Sequence, residues 1–379
     1  MMKKRILALI LTLVMVAALA ACGSNPGGAQ NDPAPNGTNE PAGNPGGNDA
    51  KEPGGSDEKE PAGKPADNTV YKLRLSTTRG DNTWFAKMYD DMIADLAERS
   101  DGRLQIEVFH NNTLGAPPDI WTMFTTGSID MLDMSPGMVG SFPVSEIFNV
   151  PFVFEDDNQN LGDMMWELYD AGLLAEYTDN MKVLMYLPGG SLELCTVNKK
   201  VESMDDFKGM SLRGSSRTIN EAVELLGATA VSIQPSEQTM ALSQGILTGV
   251  ITGANFAEIQ SLYESCKYLM NYPIGMSCMF LGINPGSYDK LPADLQQLLV
   301  DVCDEYYTEY YLPTVDSEYV AVLDRLANQH GMEIYKPSAE FVADMEAATA
   351  SQWDAYVASL GAAGLDADAI MAIVDSHTK

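Results

Sequence analysis

Residues 23–69 contain 10 Gly and 8 Pro and no Val, Ile, Leu, Met, Phe, Tyr or Trp. A stretch without apolar side chains has nothing to offset the entropy of ordering it, so it cannot build a core. It divides the 379-residue chain into a short front end, a tether and a body that starts near Val70. As a flexible coil, a tether of this length sets its ends ~35–40 Å apart. It carries 3 Lys against 8 acids, a charge of −5.

The front end reads as an address. Lys3, Lys4 and Arg5 are followed by an apolar run from Ile6 to Val16 and then by small residues. That is the pattern of a secretory signal, too short and too closely followed by polar sequence for a membrane span. Its end, Leu19-Ala20-Ala21-Cys22-Gly23, resembles the bacterial lipobox, in which the Cys thiol receives a diacylglyceryl group and becomes the mature N-terminus. Residues 1–21 are then the signal, and 22–69 are a lipidated Cys22 with its tether. Two or three acyl chains would anchor the protein stably, where one is marginal. The expected location is extracytoplasmic, anchored by lipid to the cell membrane.

Charge removes several function classes. Lys+Arg is 23 and Asp+Glu is 53, a net −30. The signal is basic, so about −28 falls on the body. Nucleic acid as a partner is excluded, because phosphate backbones need a basic face. Attraction to anionic lipid is excluded likewise. A body this acidic also repels anions, so any anionic ligand must be caught by local donors in a shielded place.

From Val70 onward strand and helix patterns alternate. Strands are expected at Val70–Thr77, Arg103–His110, Ile129–Ser135, Met181–Leu187, Leu192–Val197, Gly209–Arg213, Ala230–Ile233, Leu247–Thr252 and Ile274–Ile283. Helices are expected at Asn82–Ser100, capped by Asp81 or Asn82, and at Pro117–Thr126, Thr218–Leu226 and Ser236–Gln244. Later helices fall at Ala293–Tyr311, Val315–Gln329, Ala339–Ser359 and Asp366–Val374. This grammar implies an α/β fold with largely parallel sheets and helices on both faces. About 310 residues is large for one core, so two lobes are expected, with a ligand site beyond strand ends or between lobes. Met164, Met165 and Trp166 read as core. Cys195, Cys266, Cys278 and Cys303 form no CxxC pair and can make up to two disulfides or stay as buried thiols; their apolar surroundings favour thiols.

Catalytic devices are hard to find. His110 ends a strand, His330 follows a helix and His377 lies near the C-terminus, none with the support a nucleophile–His pair needs. There is no HExxH, Cys/His cluster, Walker A loop or GxGxxG, so no metal or cofactor is implied. Acid pairs such as Asp156-Asp157 and Asp205-Asp206 read as solvated turns or helix caps. A carboxylate-based hydrolase, whose acid and base need not be close in sequence, is the remaining enzymatic reading.

Eight short motifs, in order, resemble the DctP family, the solute receptors of tripartite ATP-independent periplasmic (TRAP) transporters. They are Ser100-Asp101-Gly102-Arg103-Leu104 with Ile106; Leu114-Gly115; Gly127-Ser128-Ile129-Asp130-Met131; Pro151-Phe152-Val153-Phe154; the segment from Met204 to Arg213; Leu226-Gly227-Ala228; Glu237, Ala241-Leu242 and Gly245; and Leu291-Pro292-Ala293-Asp294. The resemblance fades after Tyr311. It implies a two-lobed fold like that of periplasmic binding proteins (type II-like), with a hinge, an interlobe cleft, long C-terminal helices and one long helix spanning both lobes. Lobe I is expected at about 70–190 and 279–318, lobe II at about 191–278 and 319–379. It implies a small organic acid as ligand, TRAP permease subunits as partners, and no nucleotide.

The resemblance places the substrate-holding arginine at Arg213, while Arg217 reads as a surface residue. Many members carry a second basic residue about twenty positions upstream, where an ungapped alignment puts Glu193. If Glu193 lines the cleft, the ligand carries a cationic or hydroxyl-rich group, as an amino acid does; a shift of one or two residues would point Glu193 elsewhere. Thr248-Gly249 stands where an Asp-Gly is frequent. Thr252 and Asn255 fall at polar ligand contacts. In the first lobe Arg79 reads as a second anion contact, and Trp84 as either a cleft wall or the first core residue of its helix. Ser135 and Met138 are expected to face the cleft. A receptor that feeds a sensor instead of a transporter is the alternative, with the hydrolase behind it.

Overall fold

Two long strands organise the fold. The computed structural model describes residues 68–139, 142–234 and 237–378; the signal, Cys22 and all but the end of the tether lie outside them. Strands β1 (Tyr71–Thr77), β2 (Leu104–Phe109), β3 (Met131–Met134), β4 (Lys182–Thr196), β5 (Ser211–Arg213), β6 (Thr229–Ala230), β7 (Gly249–Thr252), β8 (Tyr268–Ile283) and β9 (Glu333–Tyr335) form one sheet. Its order is β2-β1-β3-β8-β4-β7-β5-β6, with β9 on β8. The flanks pair in parallel, but β4 and β8 run antiparallel through the centre. The expected parallel sheets are thus one mixed sheet, because two strands belong to both halves.

The expected break between Met181–Leu187 and Leu192–Val197 is absent. Pro188-Gly189-Gly190 reads as a strand end, yet β4 continues through it. The register against β8 shifts between Pro188 and Ser191, and Gly190 takes φ +84°. A bulge is one of the few strand positions where Pro and a left-handed Gly are at home.

Helices cover both faces of both halves. Helix α1 (Trp84–Arg99) buries Phe85, Met88, Tyr89, Met92 and Leu96 at helical spacing. Thr83, not Asp81 or Asn82, caps it, accepting the Ala86 N–H at 3.3 Å. Helix α2 (Pro117–Thr125) and α3 (Asn158–Asp170) follow. Met164 and Met165 on α3 are fully buried. In the second half lie α4 (Arg217–Leu225), α5 (Gln238–Ser243) and α6 (Ala254–Ile259). Helix α3 and α6 are additions to the expected set; Asn160, Gly162 and Asp163 obscure the apolar rhythm of one, and the other is six residues long.

Helices α7 (Ala293–Glu305) and α8 (Leu312–Asn328) are joined by a π-helical turn, Tyr306–Tyr311. The two expected helices are therefore one rod. Pro313 cannot donate to a carbonyl one turn back, and a wider turn before it absorbs the conflict. Val302, Tyr311 and Val315 pack into the first-half core on α1. Val322 and Leu326 pack into the second-half core with Ala254 and Ala257. This is the long helix spanning both halves.

The expected helix Ala339–Ser359 is two, α9 (Ala339–Thr349) and α10 (Ser351–Ala362), followed by α11 (Ala367–His377). Phe341 and Met345 pack with β5 and α4 in the second half. Tyr356, Leu360, Ile370 and Val374 pack with Met164, Tyr177 and Phe280 in the first. Assigning all of 319–379 to the second lobe is therefore corrected: α10 and α11 return to the first. Periodicity shows that a helix has an apolar face, not which core receives it. All four body cysteines are buried free thiols. Among the described residues no helix is long and apolar enough to cross a membrane.

Candidate ligand-binding site

The register of the sheet shows where strand ends meet. β1 and β3 run parallel, with Thr77 beside Asp133, and β3 lies antiparallel to β8, with Met134 opposite Phe280. Their carboxyl ends point along β8 toward Cys278. β5 and β7 run parallel, with Arg213 beside Val250, and β7 lies antiparallel to β4, with Thr252 opposite Glu193. Their carboxyl ends point along β4 toward Ser191. Pro188 pairs with Cys278 and Ser191 with Met276. Both sets of ends thus confront each other across one short stretch of β4 and β8. Open α/β sheets bind ligands outside the carboxyl ends of their strands.

Arg213, Val250 and Cys195 lie in one row across β5, β7 and β4, with Thr252 and Glu193 two residues along. Register partners project to the same side, and alternate residues share a face. Arg213, Thr252 and Glu193 therefore project from one face, the one whose core is covered by α5, α6 and α8. Gly249 lets β7 approach: a Cβ there would stand 2.6 Å from the Cys195 carbonyl. Thr248 beside it accepts the Ser211 N–H at 2.9 Å, a pairing role that an Asp could share.

Arg213 is singular in its surroundings. The body has seven arginines. Arg74, Arg79, Arg99, Arg103, Arg217 and Arg325 each form an ion pair with Asp or Glu. Among the described residues Arg213 has no carboxylate partner, although it is only 7% exposed. Its Nε donates one long bond, 3.4 Å, to the Ile233 carbonyl. Burial lowers its pKa, yet a guanidinium keeps its proton. A buried, unpaired cation is costly, and in a chain with 53 acids its isolation marks a donor held in reserve. Thr252 is buried beside it, and Asn255 is half-buried in the first turn of α6. Arg217 is exposed and pairs with Glu221, as a surface residue should.

Glu193 is fully buried. Its Oε1 accepts the Tyr319 hydroxyl from α8, and its Oε2 has no hydrogen-bond partner among the described residues. Burial, and then nearby Asp156, push its carboxyl up to about 8 against the hydrogen bond from Tyr319. The Ser191 hydroxyl stands 3.5 Å from Asp156 Oδ2 and 3.2 Å from the Tyr319 hydroxyl. Asp156 is exposed at its edge, but desolvation and Asp316 raise it to about 6.

In the first half Arg79 is committed internally. Its Nε donates to Asp133 Oδ2 at 2.9 Å, and its guanidinium lies 3.4 Å over the Phe85 ring. Asp133 also accepts Thr77 Oγ1 at 2.9 Å and the Tyr89 hydroxyl at 2.8 Å. Burial works against the Arg79 charge, and Asp133 more than offsets it. Its charge is already matched, unlike that of Arg213. Trp84 stacks on Phe85 at 3.7 Å and leans on Tyr311, the contacts of a core residue. Ser135 is half-buried and Met138 is 42% exposed, both just past the end of β3. Among the described residues no hydrogen bond or ion pair links this set to Arg213 or Glu193.

Three residues escaped the sequence reading, and Asp156, read as a solvated turn or helix cap, proves to belong to the network around Glu193. Asp133 carried a signal, an acid in the otherwise apolar run Met131–Met134. Ser191 and Tyr319 come from distant segments, and nothing local marks them.

The family model described as bacterial extracellular solute-binding protein, family 7 (DctP) matches residues 75–360. The chain belongs to the DctP family. DctP proteins are binding proteins, not enzymes, so the chain is an extracytoplasmic solute receptor. A solute-binding protein of Chromohalobacter salexigens is 24% identical over 58% of this chain and 66% of its own length. The 2,3-diketo-L-gulonate-binding periplasmic protein YiaO of Escherichia coli is 26% identical over 58% of this chain and 67% of its own. The chain thus spans about two thirds of these relatives. A marine metagenome TRAP solute-binding protein specific for aromatic acid ligands, solved with 3-hydroxybenzoate, superposes with a TM-score of 0.74 at 22% identity, covering 82% of this chain and 98% of that one. The chain thus shares the fold of TRAP solute-binding proteins, with which a two-lobed architecture is consistent.

Proposed function

We propose that this receptor holds a small carboxylate-bearing organic molecule between its two halves and delivers it to a TRAP-type transporter, while Cys22 anchors it to the membrane by lipid. Arg213 carries the reading: a buried guanidinium with no carboxylate partner among the described residues, at the carboxyl end of β5 facing the other half. A planar guanidinium makes two parallel bonds to a carboxylate. Thr252 and Asn255 stand beside it to bind the rest of the ligand. Contacts from both halves form only when they close on the ligand, so differential affinity drives closure. Acids in the names of relatives, diketogulonate and hydroxybenzoate, support the class without fixing the member.

A thermal-shift screen of dicarboxylates, sugar acids, keto acids and amino acids tests this. A true ligand at 100 times its Kd stabilises the native state by ~2.7 kcal/mol and is recovered unchanged. Turnover, or silence from every acid, overturns the reading. Separately, Cys22→Ala should move the protein from the membrane to the soluble fraction; retention of that variant on membranes contradicts lipid anchoring.

A further inference from the structure

We propose that Glu193 selects ligands bearing a positive group, so that the cleft takes a small zwitterion with its carboxylate on Arg213 and its ammonium on Glu193. This rests on the receptor reading above and narrows its ligand class.

An unpaired guanidinium and a carboxyl with one unsatisfied oxygen share one face of the sheet. Glu193 is 0% exposed, and Oε2 has no hydrogen-bond partner among the described residues. Arg213 is its counterpart, buried and without a carboxylate. One strand lies between them. Two strand spacings across and two residues along place their Cα atoms about 12 Å apart. Among the described residues the two form no ion pair, and that spacing leaves room for a molecule of a few carbons between two long side chains.

Hydrogen-bond donors surround Glu193, and no cation among the described residues pairs with it. From α8 comes the Tyr319 hydroxyl, from α6 the Ala254 N–H, from β7 Thr252, and from β4 itself Ser191. Asp156 and, behind it, Asp316 add only negative charge. Among the described residues neither acid forms an ion pair with Lys, Arg or His. A buried carboxylate without a cation is among the costliest arrangements a core can hold. Among the described residues no set of three or more His, Cys, Asp or Glu converges on a metal, which favours a cation that arrives on the ligand. In the empty receptor the raised carboxyl keeps its proton at neutral pH. An ammonium pairs with the ionised form and expels that proton, whereas a plain carboxylate is repelled by it.

The test is calorimetric titration at pH 6, 7, 8 and 9. Probes are the L-amino acids, β-alanine and γ-aminobutyrate, each matched with the same carboxylate lacking the amine. At least one zwitterion should bind tenfold or more tighter than its partner at pH 8, tighten by about tenfold from pH 6 to 8, and release protons. Its desamino partner should weaken over the same range. Glu193→Gln should cost that zwitterion tenfold or more and flatten both pH profiles. Equal affinity and equal pH trends within every pair, or unchanged zwitterion binding by Glu193→Gln, overturn the assignment. So does a desamino acid that binds tightly only with sodium in place of choline, since the positive group is then a free ion. Failure of all zwitterions overturns it too. Arg213-dependent binding of any other acid would still leave the receptor reading standing, and silence from every acid would remove both.

Discussion

Replacing Arg213 with alanine should leave the fold intact and weaken ligand binding by about 30-fold to several thousand-fold. Truncating one member of a buried, hydrogen-bonded charge pair costs ~2–5 kcal/mol, and each 1.4 kcal/mol is about tenfold. Folding should survive because no carboxylate among the described residues depends on Arg213. The Ile233 carbonyl loses one bond of 3.4 Å, and a buried cation without a partner is removed. Urea midpoints of the empty variant should match or exceed the parent's. Arg213→Lys should recover part of the affinity, since it restores charge but not the planar fork. Titration calorimetry with the best acid from the screen reads these differences. Undiminished binding by the alanine variant would remove Arg213 from the site.

Glu193→Gln in the empty receptor should show a stability gain that grows with pH. The carboxyl titrates near 4.5 in the unfolded chain and at about 8 in the native one. Below pH 4.5 both states hold the proton and the group is neutral to stability. Between 4.5 and 8 the unfolded chain releases a proton that the native state keeps, so the parent loses stability as pH rises through that window. At ~1.4 kcal/mol per pH unit the loss approaches ~3–5 kcal/mol by pH 8 and then levels off. Glutamine keeps the shape and can accept the Tyr319 hydroxyl, but carries no such penalty. Urea unfolding of both proteins at pH 4.5, 6, 8 and 9 isolates the effect, because groups away from Glu193 titrate alike in both. A constant difference across the series would show that Glu193 is not held protonated by its burial.

Both predictions turn on residues that the sequence marks unequally. Arg213 was legible because it ends a strand in a recognisable segment. Its isolation was not, since ion pairing is decided by contacts such as Arg325 with Glu258 and Glu318, distant in sequence or on another turn. Glu193 showed only as a departure from a family habit; its burial and its Tyr319 partner needed the fold. Strand positions were legible from alternation, because burial on a sheet repeats every second residue. Continuity was not: Pro188-Gly189-Gly190 reads as an end although β4 runs through it, and Pro313 reads as a break although a π-helical turn carries the rod past it. Local chemistry marks a disturbance in the backbone, while neighbouring elements decide whether it terminates an element or is absorbed. The docking of α10 and α11 in the first half is also a tertiary fact, visible in Tyr356 donating to the Val144 carbonyl at 2.9 Å.

A crystal structure of the receptor with the strongest ligand from the acid screen is the most direct test of carboxylate capture between the halves. The expected result is a ligand lying between the carboxyl ends of β1 and β3 on one side and β5 and β7 on the other. Both oxygens of its carboxylate should fall within hydrogen-bond distance of the Arg213 guanidinium. A ligand bound elsewhere, or an Arg213 side chain paired with a carboxylate of the protein itself, would contradict the account.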